Sequence, residues 1–483
     1  MPKIALGNDI SQYHSDPMTQ TIEIECFGDD YDNVNATGLA LEQLHKDLVR
    51  LDIPYFFVKI ITTNTDIERE LSLLHKIYST EPSPLKYELV DGVYDKRIYN
   101  GNTKCVLPWI HKYVNPQGLV LTCCVGNENS PLGRIQDNSL NEISTDQVRQ
   151  QMEAGQRPSE CYSCWRTEDL GLTSLRHHAN KTWSNYYSQT NFVLRHLDIR
   201  LSNKCNLMCR MCSGKFSNRI AQEEQKLYGF TKYKNEVLSP TLVIKQLDFI
   251  RNNVDTISSV YFAGGEPLIN DEHYQILQIL IDAKRTDIEL SYNTNFSMLQ
   301  FKKYNVLDYW KHFKKVNIGA SIDLIGDQSN YVRHGVEYSQ LEKNYRYIKD
   351  LQNVNFKITS ILHLQNVFNL PKLQKHWIEQ GFACKNIKFT CVTTPEEQAI
   401  TVLPEHYKNL ALVTIDDHME YLKSVIDSEN LINSWNEAKQ FMISRDDSNL
   451  LLEFFRLTDD KDRSRNQKFE NYFPEYKNLR NYA

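Results

Sequence analysis

The chain has 483 residues, 41% of them hydrophobic and 24% charged, a composition that supports ordinary globular cores and, on length, about three domains. Fifty-five Lys and Arg against 61 Asp and Glu leave a net charge of -6, so no overall electrostatic footprint for nucleic acid exists and a large RNA partner is not expected. No apolar run approaches membrane-spanning length, and the N-terminal MPKIALGNDISQYHSDPM lacks the basic-then-apolar pattern of a secretory leader; the expected setting is cytoplasmic, away from membranes, with thiols reduced.

Residues 1–100 read as a small α/β domain of unassigned role. TIEIECFG, PYFFVKIIT and KYELVDGVYD have strand character. ATGLALEQLHKDLVRL and TDIERELSLLHKIYS repeat apolar residues at helical spacing. Cys26 is expected to be a buried thiol. Residues 101–180 change character: they are rich in Gly, Pro, Asn and Cys, and a small loop-rich unit of this kind usually needs a staple. From 190 to 395 strands and helices alternate. RHLDIRLS, TISSVYFAGG, DIELSYNTN, KVNIGASID, FKITSILHLQN and KNIKFTCV read as six strands, most ending in small or polar residues. SPTLVIKQLDFIRN, NDEHYQILQILIDAK and YSQLEKNYRYIKDL read as helices between them. The expected fold is α/β, with a parallel sheet closed into a partial, TIM-like (β/α)6 barrel whose site lies at the strand C-termini. Residues 396–483 read as mostly helical, and the mixed-charge run RLTDDKDRSRNQK at 456–468 as a solvated face or turn.

Eleven cysteines in a reducing compartment need a use, and eight of them lie between 105 and 212. KCNLMCRMC at 204–212 sets Cys205, Cys209 and Cys212 at CxxxCxxC spacing directly after the first barrel strand. Three thiolates are one short of a closed zinc site and one short of a fully protein-ligated four-iron cluster. A loop that wraps three corners of a cube leaves one iron open to a small chelator. Upstream, Cys105, Cys123, Cys161 and Cys164 form a possible closed set, with Cys124 an odd neighbour; from spacing alone, zinc and iron–sulfur both remain open. YFAGGEP at 261–267 ends the second strand with glycines that let a ligand approach the backbone.

LSNKCNLMCRMC resembles the cluster loop of the radical S-adenosylmethionine (radical SAM) superfamily. The resemblance implies a four-iron cluster on Cys205, Cys209 and Cys212, with SAM chelating the fourth iron. YFAGGEP resembles the family's GGEP motif, implying SAM contacts at Gly264, Gly265 and Glu266. By the same resemblance, Asn293 and Asn295 of YNTNFS are ribose candidates. Ser321 and Arg333 of GASIDLIGDQSNYVRHG are candidates for hydrogen-bonding SAM and pairing with its carboxylate, and Asn366 is a weaker adenosine candidate. Met211 stands where the family often has an aromatic residue by the adenine. CVLPWIHKYVNPQGLVLTCC, LGRIQDNSLNEI and PSECYSCW resemble SPASM or twitch modules, implying a second four-iron cluster on Cys105, Cys123, Cys161 and Cys164. The module precedes the barrel, whereas in the family it normally follows.

The implied activity is reductive cleavage of SAM to a 5′-deoxyadenosyl radical that abstracts hydrogen from a substrate, with electrons from a flavodoxin or ferredoxin. A peptide or protein substrate is favoured; a small metabolite or nucleotide, or a non-catalytic scaffold, are the alternatives. Cys391, ending the sixth strand, is a candidate hydrogen-atom donor. The resemblance covers residues 101–395 and says nothing of the two ends.

Overall fold

A computed structural model of the chain describes residues 103–169, 174–186, 190–231 and 239–483, together with the backbone of four strands in the first hundred residues. The chain divides into two compact units. One comprises Met1–Cys105, Gln150–Pro158 and Tyr162–His178; the other comprises Val106–Arg149, Ser159–Cys161 and Ala179–Ala483.

In the first unit, Lys3–Ala5, Thr21–Cys26, Phe56–Thr62 and Leu85–Asp91 form a parallel sheet in chain order. The last three are the strands read from the sequence; Lys3–Ala5 is too short to show a period. The two helices expected there, and the side chain of Cys26, lie outside the described residues. Further along the same unit, Arg176 grips Glu168 at both carboxylate oxygens, at 2.8 and 2.6 Å, and donates to the Lys104 carbonyl at 3.1 Å.

The second unit holds a nine-stranded sheet. Its six barrel strands are His196–Ile199, Ser259–Phe262, Glu289–Thr294, Lys315–Ser321, Val354–Leu362 and Ile387–Cys391, parallel and adjacent in chain order. All six match the strands read from sequence, and so do the helices Pro240–Asn253, Asp271–Asp282 and Tyr338–Ile348. Ser239 caps the first of these by accepting from the Leu242 amide, with Pro240 at its first position. Three further strands come from the cysteine-rich segment. Tyr113–Val114 pairs with the first barrel strand, Val114 opposite Ile199, and Leu119–Leu121 and Gly133–Arg134 continue antiparallel from it. The segment thus extends the barrel's own sheet.

Strand alternation separates two faces. In the fourth strand Val316, Ile318 and Ala320 are fully buried, while Lys315, Asn317, Gly319 and Ser321 are exposed or half-buried. The fifth strand repeats this, with Phe356, Ile358, Ser360 and Leu362 buried and Asn355, Lys357, Thr359 and Ile361 half-buried. The apolar face lies under the helices, and the opposite face carries polar side chains that are half-buried or exposed among the described residues. A complete TIM barrel fills that interior with branched apolar side chains; here Asn317 instead donates to Glu289 at 2.5 Å and accepts from Asn355 at 3.1 Å.

The C-terminal part is helical, with Glu405–Lys423, Glu429–Ile443 and Leu451–Arg465 as its long elements. The mixed-charge run at 456–468 is solvated on one face, where Arg456, Arg463, Ser464 and Lys468 are exposed, and buried on the other. It lies mostly in the last of these helices, where Thr458 and Asp462 are buried, as is the Arg465 side chain. Thr458, Lys461, Asp462 and Arg465 recur at three- and four-residue spacing on one face. That face meets buried charges elsewhere, a partner invisible in a local reading of composition. Among the described residues no helix is long and apolar enough to cross a membrane.

The buried His273, His363 and His418 and the half-buried His196 are held neutral. Burial pulls His196 and His273 down to about 3, and His363 and His418 down to about 4, from an ordinary 6.5. Because their folded values lie below the unfolded one, their contribution to stability is complete above about pH 6.5 and is lost as pH falls toward 4. Glu266, pushed up by burial to about 7, and Glu397, also raised by burial, work in the opposite sense, but they are outnumbered by the histidines. The urea midpoint of the cluster-free protein is therefore expected to fall between pH 7.5 and pH 5, and to fall less in His273→Gln. A midpoint independent of pH over that range would contradict the neutral burial of these rings.

Candidate active site at the cysteine loop

The three-cysteine loop leaves the first barrel strand at Ile199 and is tied down on both sides. On one side, the Cys205 amide donates to Asn218 Oδ1 at 3.1 Å, Asn203 Nδ2 donates to the Gly214 carbonyl at 3.0 Å, and Ser217 Oγ donates to the Leu207 carbonyl at 2.9 Å. Ser217 also caps the helix Asn218–Tyr228, which fixes where the loop ends. On the other side, Met208–Cys209 pairs antiparallel with Arg333–His334, Cys209 opposite Arg333, and the Arg210 amide donates to the Val332 carbonyl at 2.8 Å.

The second strand's GGEP turn packs directly on this loop. The Gly265 amide donates to the Ser202 carbonyl at 3.2 Å and the Glu266 amide to the Lys204 carbonyl at 2.8 Å. A Cβ on Gly265 would stand 2.2 Å from the Lys204 oxygen, and Gly264 sits at a φ of +112°; both positions demand glycine. The buried Glu266 carboxylate accepts from Thr294 Oγ1 at 2.7 Å, the Asn295 amide at 2.7 Å and the Leu268 amide at 3.1 Å. In this structure Glu266 therefore ties the second strand's turn to the end of the third. Asn295 reaches back to the loop: its amide donates to Asn206 Oδ1 at 2.8 Å and lies 4.0 Å from Cys205 Sγ.

Positive charge gathers behind the loop. Arg333 is buried, with Nε 2.6 Å from Asp323 and Nη1 3.7 Å from Cys209 Sγ. Asp323 also accepts from the Ile361 amide at 2.9 Å, fastening the fourth strand's end to the fifth. Arg210, between the second and third cysteines, ion-pairs with Asp462, which also accepts from Tyr331 Oη at 2.8 Å and the Phe469 amide at 2.7 Å. Arg465 pairs with Glu223 at 2.6 Å and donates to the Met208 carbonyl at 2.9 Å. Lys461 donates to the Arg210 carbonyl at 2.9 Å. Burial raises all three thiols, Cys212 to about 12. Arg333 pulls Cys209 back toward thiolate, and Arg333 and Lys461 do the same for Cys212.

The remaining predicted residues are distributed over the barrel mouth. Asn293 is exposed near the end of the third strand, opposite Gly319. Ser321 is half-buried at the end of the fourth, opposite Thr359, and Met211 is half-buried against the core. Cys391 ends the sixth strand opposite Leu362, its thiol pushed up by burial to about 12. Asn366 is buried and spent locally, accepting from the His363 amide at 2.8 Å and donating to the Ile361 carbonyl at 2.8 Å. Of the upstream cysteines, Cys105, Cys123, Cys161 and Cys164 are buried and Cys124 is half-buried. In the first unit, Cys105 donates its amide to Met152 Sδ at 3.4 Å, and Arg176, which holds the Lys104 carbonyl, also holds the Cys164 thiol through its backbone amide. In the second, Cys161 Sγ lies 3.9 Å from Oγ1 of Thr122, the neighbour of Cys123.

Residues 199–374 match the model of the radical SAM superfamily, and residues 105–165 match SPASM, an iron–sulfur cluster-binding domain. The chain thus carries a radical SAM domain. Its SPASM domain precedes the radical SAM domain in sequence. An uncharacterized protein of Methanocaldococcus jannaschii is 24% identical over 221 residues, covering 44% of this chain and 67% of that protein. The radical SAM cyclopropyl synthase TigE of Paramaledivibacter caminithermalis is 25% identical over 146 residues, covering 28% of this chain and 30% of TigE. Among solved structures, native anSMEcpe with bound AdoMet aligns at 18% identity and a TM-score of 0.33, over 52% of this chain and 63% of that one. Streptococcus suis SuiB bound to S-adenosylmethionine aligns at 13% identity and a TM-score of 0.32, over 65% and 68%. This chain thus spans less than a third of TigE and under two thirds of anSMEcpe.

The family's cofactors are a SAM-binding four-iron cluster and, in SPASM domains, auxiliary iron–sulfur centres. The donor set fits them. Among the described residues no three His, Cys, Asp or Glu side chains converge on the position of a single metal ion. The three loop thiols, backed by guanidinium and ammonium groups, form a soft, anion-favouring set of the kind that holds iron–sulfur clusters.

Residues that sequence reading missed are the ones behind the loop: Arg210, Glu223, Asp323, Tyr331, Lys461, Asp462 and Arg465. Arg210 lies inside the quoted motif, but nothing local marks its partner 252 positions away. Replacing Gly265 with Ala is expected to force the Lys204 carbonyl aside, at a cost of about 1–3 kcal/mol. Thermal unfolding of Gly265→Ala should show a lower midpoint, and its iron incorporation should drop toward that of the Cys205→Ala, Cys209→Ala, Cys212→Ala triple variant. Wild-type iron content and stability in Gly265→Ala would contradict the packing of the GGEP turn on the loop.

Proposed function

We propose that this radical SAM protein cleaves SAM reductively at the Cys205, Cys209 and Cys212 cluster to initiate hydrogen abstraction from a peptide or protein substrate. The observation that carries the reading is a loop with three thiols, clamped between the GGEP turn and Arg333–His334 at the C-terminal mouth of a parallel barrel. When bound, the cluster and SAM supply a one-electron cleavage of the sulfonium carbon–sulfur bond.

The chain's own residues hold and orient. Backbone carbonyls of the Gly264–Gly265 turn offer acceptors to the ammonium of SAM, and Glu266 acts by fixing that turn. Asn293 and Asn295 offer amides to the ribose, Ser321 a hydroxyl, and Met211 a polarizable contact near the adenine. Arg333, held by Asp323, offers its remaining donors to a carboxylate. Cys105, Cys123, Cys161 and Cys164 are the proposed ligands of the auxiliary cluster, an assignment that rests on the SPASM match. A flavodoxin or ferredoxin is the proposed reductant.

The polar face supports a peptide. Ser291 and Thr359 add hydroxyls beside the bonded Asn317 and Asn355, donors and acceptors suited to an extended backbone.

The test is SAM cleavage. Anaerobic protein reconstituted with iron and sulfide, then given dithionite and SAM, is expected to release 5′-deoxyadenosine, while the triple cysteine variant releases none. Absence of product from a preparation carrying its full iron, with and without candidate peptides, would sink the proposal.

A further inference from the structure

The charges behind the cysteine loop do not balance. Three arginines each have a carboxylate: Arg210 has Asp462, Arg333 has Asp323, and Arg465 has Glu223. Lys461, one turn before Arg465 on the same helix, has none among the described residues. Its ammonium donates to the backbone carbonyl of Arg210, between Cys209 and Cys212. Arg210 and Arg465 face it with like charge, and the carboxylates of Glu223 and Glu397 act on it only at longer range. A half-buried cation beside two others is costly without a counter-charge.

We propose that Lys461 is the counter-cation of the iron–sulfur cluster held by Cys205, Cys209 and Cys212, and that its charge sets how readily that cluster is reduced. The inference rests on the reading that those cysteines bind the cluster. Three thiolates outweigh the positive charge of the oxidised core, and reduction adds one more electron to the same site. A fixed cation nearby therefore stabilises the reduced form more than the oxidised one. Lys461 acts through the field and through the Arg210 carbonyl; it is a positioning and tuning residue that touches no substrate. The C-terminal helix, outside the part of the chain that matches the radical SAM model, thus acquires a role in the reaction.

The test is a potentiometric titration of the full-length reconstituted protein, followed by the electron paramagnetic resonance signal that the triple cysteine variant lacks. Lys461→Gln keeps a donor for the Arg210 carbonyl and removes the charge. At a fixed applied potential near the wild-type midpoint, the ratio of reduced to oxidised cluster is expected to fall about tenfold, a shift of about 59 mV for one electron. Lys461→Arg is expected to restore the wild-type ratio. Glu223→Gln, which leaves Arg465 uncompensated, is expected to move the ratio the opposite way, and decides the question if Lys461→Gln does not fold. A signal with full intensity and an unchanged midpoint in Lys461→Gln, or in Glu223→Gln where that variant decides, would overturn the proposal. Absence of any signal dependent on Cys205, Cys209 and Cys212 would instead overturn the reading on which it rests.

Discussion

The site depends on one close backbone contact: the GGEP turn lies against the Ser202–Lys204 stretch so tightly that a Cβ at Gly265 has no room. A loop carrying three thiolates and an open fourth corner cannot be stapled by its own ligands as a closed four-cysteine site can. Its shape has to be imposed from outside. The amides of Gly265 and Glu266 hold its start, Asn218 and Ser217 hold its end, and the Cys209–Arg333 pairing holds its middle. Glu266 then couples the arrangement to the third strand through Thr294 and Asn295. The strand ends of the barrel and the cysteine loop are therefore one hydrogen-bonded assembly.

Burial and charge act on that assembly in opposite directions. Burial alone drives Cys205, Cys209 and Cys212 toward the neutral thiol, the wrong form for a ligand. The cations behind the loop oppose it. Three of them come with carboxylates that absorb most of their charge, so they brace the loop mainly by hydrogen bonds: Arg465 to the Met208 carbonyl, Arg333 to Cys209, and Arg210 from the loop to the Tyr331 carbonyl. The fold thus uses buried ion pairs where breaking either partner would be severe, and two of the three take a partner, Asp462 or Arg465, from the C-terminal helix, which makes residues 451–465 part of the site's foundation.

Much of this was legible in the sequence because the signals are local. Six strands with alternating or buried apolar residues, each followed by a turn and a helix, gave the barrel. The CxxxCxxC loop and GGEP turn follow their strands directly, so motif and position coincide. What was hidden depends on pairs far apart in the chain. The run at 456–468 reads as solvated because charged residues usually are; Arg456, Arg463 and Lys468 are, and only partners at Arg210, Glu223 and the 208–210 carbonyls bury its other face. The joining of Tyr113–Val114 to the first barrel strand was hidden for a different reason: a two-residue strand has no period to read. Glu266 was legible as important, yet its hydrogen bonds to Thr294 and Asn295 required knowing which strand ends are neighbours.

The central claim is that the loop leaves one iron for SAM to chelate. The most direct measurement is electron–nuclear double resonance on the reduced protein with SAM labelled with nitrogen-15 at its amino group. The account predicts a nitrogen coupling in the wild type that is lost in the Cys205→Ala, Cys209→Ala, Cys212→Ala variant while any auxiliary-cluster signal remains. A fully reduced cluster at this loop that shows no coupling to labelled SAM would contradict it.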